Sequence, residues 1–160
     1  MRILYFAPHA LLYSNVYLSK HDNVRKSYEA QHSIINKDCL MSAVEPDRAG
    51  ARKLANAAIT AGLLLYPTDD SYTRDLLIKH NVLDESELAP YVDLASRVRL
   101  DDRDPLRIMF AHANALDADW YVCGDIATDE RLHSFPHRSL VTQFGEGVSE
   151  ELLSMVAAIK

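Results

Sequence analysis

The sequence predicts an α/β domain: a three-layer sandwich with a central, mainly parallel sheet. Three observations carry this. The segments "RILYFA", "LLLYP" and "WYVC" are short and apolar on both faces, as strands must be when helices cover the sheet on both sides. Helical patterns with capping signals separate these segments, an alternation that builds parallel sheets. The chain has 160 residues, 48% apolar and 25% charged, which suffices for one core. No internal repeat, linker or low-complexity segment breaks it, so residues 1–160 are read as a single domain.

Each element can be justified in order. Arg2 to Ala7 reads as the first buried strand. The stretch between Tyr13 and Asn36 is less regular, and "DNVRKSYEAQHSII" within it is expected to be helical. Pro46 to Ala61 carries both end signals of a helix, Pro46 at the first position and Gly62 at the exit. Its apolar stripe is Leu54, Ala55, Ala58 and Ile59. Leu63 to Pro67 is the second strand. Thr68 is expected to cap the next helix, with Asp69 and Asp70 in its first turn, ending near His80-Asn81. Asp84 is expected to cap another, with Leu88, Tyr91, Val92, Ala95 and Val98 on its inner side. Asp104-Pro105 opens a helix reaching about Leu116, and Trp120 to Cys123 is the third strand. Ser139 to Phe144 is read as the fourth, Gly145 and Gly147 as a turn, and Ser149 as the cap of a last helix.

Composition narrows function. The net charge of −6 argues against broad non-specific nucleic-acid binding, which lysine and arginine drive. The five glycines, at 50, 62, 124, 145 and 147, form no phosphate-cradling loop, which argues against a P-loop or a dinucleotide fingerprint. Cys39 and Cys123 fit no metal spacing and are expected to be reduced thiols. No apolar run reaches the roughly 20 residues of a bilayer span, and the N-terminus reads as a strand rather than a leader. The expected setting is cytoplasmic, away from membrane.

Carboxylates near strand ends are the candidates for chemistry, because open α/β sheets bind ligands beyond the carboxyl ends of their strands. Asp125 follows "WYVC", Asp104 opens the helix before that strand, and Asp75 lies on the helix after "LLLYP". Clustered carboxylates are the hard oxygen ligands that Mg²⁺ or Mn²⁺ prefers. Each also has a plainer use. Asp104 before Pro105 makes an N-cap, Asp125 after glycine is a turn residue, and Asp75 has Arg74 and Lys79 for ion pairs. Asp129 with Thr128 opens a short helix. His133 and His137 flank Pro136 in a loop, so a zinc-binding helix face is disfavoured. His112 reads as a core or surface histidine, and His9 lies just beyond the first strand. The basic clusters at Arg25-Lys26 and at Arg48, Arg52 and Lys53 read as solvated helix faces.

The segment "DPLRIMFAHANALDADWYVCGDIATDERL" resembles the C-terminal half of a PIN domain. There an Asp begins a helix of small residues, and an apolar strand then runs into a Gly-Asp or Asn-Asp pair. "PTDDSYTRDLL" is similar to the upstream segment of that family, with Asp75 where it carries a Glu, and "MRILYFAPHALL" is similar to its opening strand. The resemblance covers most of the chain and is most specific from Asp104 to Leu132. It departs at Phe6, which stands where the family places its first acid. What the resemblance implies is a Mg²⁺- or Mn²⁺-dependent endoribonuclease, a hydrolase working as a toxin or an RNA-processing factor. Asp104 and Asp125, assisted by Asp75, would be its catalytic and metal-holding residues, with Asp129 a further ligand. RNA would be its substrate, and an antitoxin or a second copy of the chain its partner. With Phe6 in the first acidic place, a binding module without nuclease activity is the alternative. A small-molecule enzyme with its cleft near His9 and Asp125 is a third expectation.

Overall fold

A computed structural model describes residues 1–31, 33 and 36–160. It shows an α/β architecture around a four-stranded parallel sheet, with strands in the order β2-β1-β3-β4. The strands are β1 (Arg2–Phe6), β2 (Leu64–Pro67), β3 (Asp119–Cys123) and β4 (Ser139–Leu140). In β1 the side chains alternate between two cores. Ile3 and Tyr5 face one, and Leu4 and Phe6 face the other. Its apolar character is therefore continuous, because neither face meets water.

The helices follow from this order. They are α1 (Pro8–Leu12), α2 (Asn15–Lys20), α3 (Asp22–Gln31), α4 (Lys37–Ala43), α5 (Arg48–Thr60), α6 (Arg74–Lys79), α7 (Pro105–Ala115) and α8 (Glu150–Ala157). The chain leaves β1 for β2 on one side through α5, then returns past β1 to β3 through α7. Right-handed crossovers in opposite directions put their helices on opposite faces. Accordingly Leu54, Ala55 and Ala58 of α5 share a core with Leu4, Phe6 and, from α8, Leu152 and Val156. Leu106, Met109 and Ala113 of α7 pack with Ile3, Tyr5 and Val122 on the other face. Ile59, expected in the apolar stripe of α5, is instead 47% exposed.

Several expected boundaries move, each for a physical reason. Asp47 rather than Pro46 starts α5, because its carboxylate accepts the Gly50 N–H at 2.9 Å, and proline offers no such cap. Thr68 caps no helix. Its N–H and hydroxyl reach the Phe6 carbonyl at 2.9 and 3.1 Å and prolong the strand. Asp69 then folds back onto the Ser71 N–H at 2.9 Å, a local turn that delays the helix. Thr73 caps α6 instead, so Asp75, not Asp69 or Asp70, lies in its first turn.

The largest correction is the helix expected after Asp84. Only one turn forms, Glu85–Glu87, closed by the Glu87 carboxylate on the Asp84 N–H at 2.8 Å. Pro90 has no N–H and disfavours helical backbone at Ala89. Ala89 instead donates to the Leu65 carbonyl at 2.9 Å, and Leu88 bridges Leu65 in parallel. Residues 88–94 thus form a non-helical strap that starts beside β2, the chain turns at 94–98 with the Val98 N–H on the Leu94 carbonyl at 2.9 Å, and Tyr91, expected to face inward, is 71% exposed. The fourth strand ends at Leu140 rather than Phe144, because its partner β3 stops at Cys123 and turns away. Phe144 is 77% exposed. The helix expected from Asp22 to Ile35 is seen to Gln31, and its continuation through His32, Ile34 and Ile35 lies outside the described residues. Among the described residues no helix is long and apolar enough to cross a membrane.

Candidate functional site

The carboxyl ends of β1 and β3 adjoin at the centre of the sheet, where the strand order reverses. A crevice opens at such a switch point. Gly124 follows β3 at φ 88, ψ −166, a combination essentially restricted to glycine. Asp125 follows as the first residue of a tight turn, Asp125–Thr128, and its side chain is exposed. A cavity of about 270 Å³ lies here, lined by Ala7, Thr68, Pro105, Ile108 and Ile126 among others.

Asp104 sits at the same edge, in a network of arginines. It caps α7, accepting the Leu106 N–H at 3.1 Å. Its other contacts are the Arg131 guanidinium, with Nη2 at 3.1 Å from Oδ1, and Arg107 Nη1 at 3.1 Å. Arg131 also holds Asp129 through Nη2 at 2.8 Å, and Arg107 forks onto Asp102 at 2.7 and 3.0 Å. The structure therefore brings Asp104 and Asp129 together through Arg131. Charge-assisted hydrogen bonds favour the ionised carboxylates. The Arg131 contact holds Asp104 below the usual carboxylate range, with the Leu106 N–H adding to it. Arg107 brings Asp102 down to about 2, and Arg131 does the same to Asp129.

These depressed values fix the sign of a pH effect. The three carboxylates contribute stability above the unfolded value near ~3.9, and the contribution is lost as pH falls through their lowered folded values, about 2 for Asp102 and Asp129. Carboxyl-carbon NMR titration should give Asp102 and Asp129 midpoints near 2. Ordinary midpoints near ~3.9 would show that the arginine contacts do not persist in solution.

Asp75 and Asp125 stand apart from that network. Asp75 is 92% exposed at the start of α6, with Arg74 Nη1 at 3.8 Å. Among the described residues no three His, Cys, Asp or Glu side chains are grouped as a metal site needs. A divalent ion at Asp104 would have to displace the Arg131 guanidinium from the oxygens it would use. As arranged, the carboxylates do not fit that ion. The arginines of the basic clusters are also engaged. Arg48 donates to the His80 carbonyl at 2.9 Å and pairs with Glu45, Arg52 pairs with Glu87, and Arg25 with Asp22 at 3.5 Å. His133 and His137 lie in loop, as expected. Cys39 and Cys123 are free thiols, the first exposed and the second buried.

A second concave region adjoins the first on the α7 face. Tyr5 and Tyr66 are register partners on neighbouring strands, so both rings point toward α7. His112 of α7 stacks on Tyr66, with centroids 3.9 Å apart at 22°, and meets Tyr5 edge-on. Its Nε2 lies 2.9 Å from the Pro90 carbonyl and its Nδ1 2.7 Å from Tyr5 Oη. A carbonyl only accepts, so Nε2 carries the proton, and Nδ1 accepts from the tyrosine. Burial lowers the His112 pKa, only partly opposed by the Pro90 contact, and burial raises that of Tyr5. Both are neutral at physiological pH. The cavity beside them measures about 380 Å³, lined among others by Tyr66, Tyr91, Ile108 and Met109, with Asp69, Asp70, Arg74 and Asp75 also in its lining.

Sequence reasoning missed Tyr5, Tyr66, Arg107 and Arg131. The two tyrosines become neighbours only once the strand register is known. His112, expected in core or surface, is a buried connector that is 2% exposed. His9 in α1 bridges Tyr72 Oη at 2.6 Å and Tyr28 Oη at 3.0 Å.

Comparison with protein-family models, with curated proteins and with solved structures found no match.

Proposed function

We propose that this chain is a binding domain on a parallel α/β scaffold, rather than a working metal nuclease. The observation that supports this reading most is the use of Asp104. Its carboxylate caps α7 and takes two arginines, which fixes the segment around Asp129 against the start of that helix. Phe6 supports it too. It is 3% exposed in the core at the strand end, where the PIN resemblance would want an acid. Cavities beside the carboxyl ends of β1 and β2 leave the scaffold able to hold a small ligand.

The test pairs Mn²⁺ calorimetry with an RNA-cleavage assay on the intact chain. The expected result is no saturable Mn²⁺ binding. Any cleavage should be equal in the wild type and in the Asp104→Asn, Asp125→Asn double variant. Metal-dependent cleavage that the double variant loses, with its fold intact by circular dichroism, would overturn the binding reading.

That outcome would favour a second reading, a PIN-type endoribonuclease holding Mg²⁺ or Mn²⁺ on Asp104, Asp125, Asp75 and Asp129. The placement of Asp104 at the start of α7 and Asp125 just after β3 supports it, since both lie at the carboxyl edge. It requires Arg131 to leave Asp104 before an ion enters. RNA as substrate, and an antitoxin or a second copy as partner, belong to this reading.

A further inference from the structure

The cavity of about 380 Å³ beside β2 has a size and lining that select a ligand class. Such a volume lies within the range of small-molecule pockets. Its floor is aromatic: the stacked Tyr66–His112 pair, with Tyr5 edge-on to Tyr66 at 6.1 Å. Ile108 and Met109 of α7 add apolar wall, and Tyr91 stands on the strap side, 71% exposed. A flat apolar body would find faces on which to stack.

The polar groups around this floor lean one way. Asp69, Asp70 and Asp75 line the cavity against a single cation, Arg74. Arg74 divides its charge, its Nε donating to the Ala89 carbonyl at 3.0 Å, Nη2 lying 3.7 Å from Glu85 and Nη1 3.8 Å from Asp75. Arg103 offsets Asp70 at 3.0 Å, and the cavity still keeps an excess of negative charge. Asp69 Oδ1 accepts from the Ser71 N–H and hydroxyl, and Oδ2 has no hydrogen-bond partner among the described residues. Among the described residues the Tyr66 hydroxyl also has no hydrogen-bond partner, and burial and Tyr91 keep it protonated. Tyrosine faces beside carboxylates attract a cation twice, through the ring quadrupole and through charge. The same charge repels phosphate- or carboxylate-bearing molecules.

We propose that this cavity binds a small aromatic amine. The ring lies on the face of Tyr66 that His112 leaves open, with Tyr91 beside it, and the ammonium faces Asp75 and Asp69. This rests on the binding-domain reading and names its ligand class.

The test is calorimetry at low salt on the full chain with two matched probes, tryptamine and indole-3-acetate. They share the ring and differ in the sign of charge. Tryptamine should bind saturably, and indole-3-acetate should give no detectable heat. Asp75→Lys should weaken tryptamine at least about tenfold, through lost attraction and added repulsion. Tyr91→Ala should weaken it about fivefold, through loss of a ring face. Both positions are exposed, so the fold should survive, which circular dichroism checks. Equal binding of the two probes would overturn the amine class while leaving a ligand-binding domain. No saturable binding of either probe, or tryptamine binding untouched by both variants, would overturn the site itself. The Mn²⁺ and RNA assays judge the domain-level reading separately.

Discussion

Replacing His112 with phenylalanine should lower unfolding stability by about 2–4 kcal/mol, although ring volume is kept. The reason lies in two hydrogen bonds rather than in packing. His112 is 2% exposed and joins three elements: Tyr5 on β1, Pro90 on the strap and its own helix α7. Phenylalanine leaves the buried Tyr5 hydroxyl without this partner, and with it the part-buried Pro90 carbonyl, which water can partly satisfy. A buried polar group so orphaned costs on the order of 1–3 kcal/mol. Alanine would add a cavity and bring the loss to about 3–5 kcal/mol. Urea unfolding measures this as a lower midpoint at unchanged slope. A loss below about 0.5 kcal/mol, the range of ordinary surface changes, would mean that the bridge contributes little.

The same residue sets a pH dependence, and its sign follows from burial. The folded state holds His112 neutral, with its pKa lowered, whereas the unfolded chain protonates it near ~6.5. Below that value the unfolded state binds the extra proton, so stability falls as pH falls. This contribution is complete above the unfolded value and absent in the His112→Phe variant. Comparing the slopes of melting temperature against pH, from neutral downward, isolates it. A double-mutant cycle with Tyr5→Phe would then separate the Tyr5 contact from the Pro90 contact.

How much of this was legible in the sequence depends on the range of the interaction. The strands were, because apolar runs such as "RILYF" report burial on both faces without reference to any partner. The ends of α7 and α8 were, because Asp104 and Ser149 cap their own helices. The strap was not. The apolar spacing of Leu88, Tyr91, Val92 and Ala95 mimics a helix, and one residue, Pro90, overrides it by sending Ala89 to the Leu65 backbone. The acids were found and their arginines were not. Arg131 lies 27 positions from Asp104, and nothing in local spacing brings the two together. The aromatic floor needed even more, namely the parity of two strands and the facing side of α7. Short-range signals therefore gave the carboxylates, and long-range register decides what they face.

The Gly-Asp pair after β3 divides into a structural residue and a free one, and stability measurements can show the division. Gly124→Ala should cost about 1–3 kcal/mol. Space is not the obstacle, since an added Cβ would lie 3.7 Å from that of Ala7, an ordinary contact. The backbone is. At φ 88, ψ −166 a side chain strains the chain, and relaxing it would disturb the turn in which the Ala127 N–H meets the Gly124 carbonyl at 3.0 Å. Ala127 is buried against the α7 face, so the turn cannot shift without loosening the core. Asp125→Ala, by contrast, should stay within about 0.5 kcal/mol of the parent, because its side chain is exposed. If Asp125→Ala costs as much as Gly124→Ala, the carboxylate holds the turn and the dihedral argument fails. If Gly124→Ala alone is costly, the glycine serves the fold, and Asp125 is left at the carboxyl edge with its oxygens available to whatever binds there.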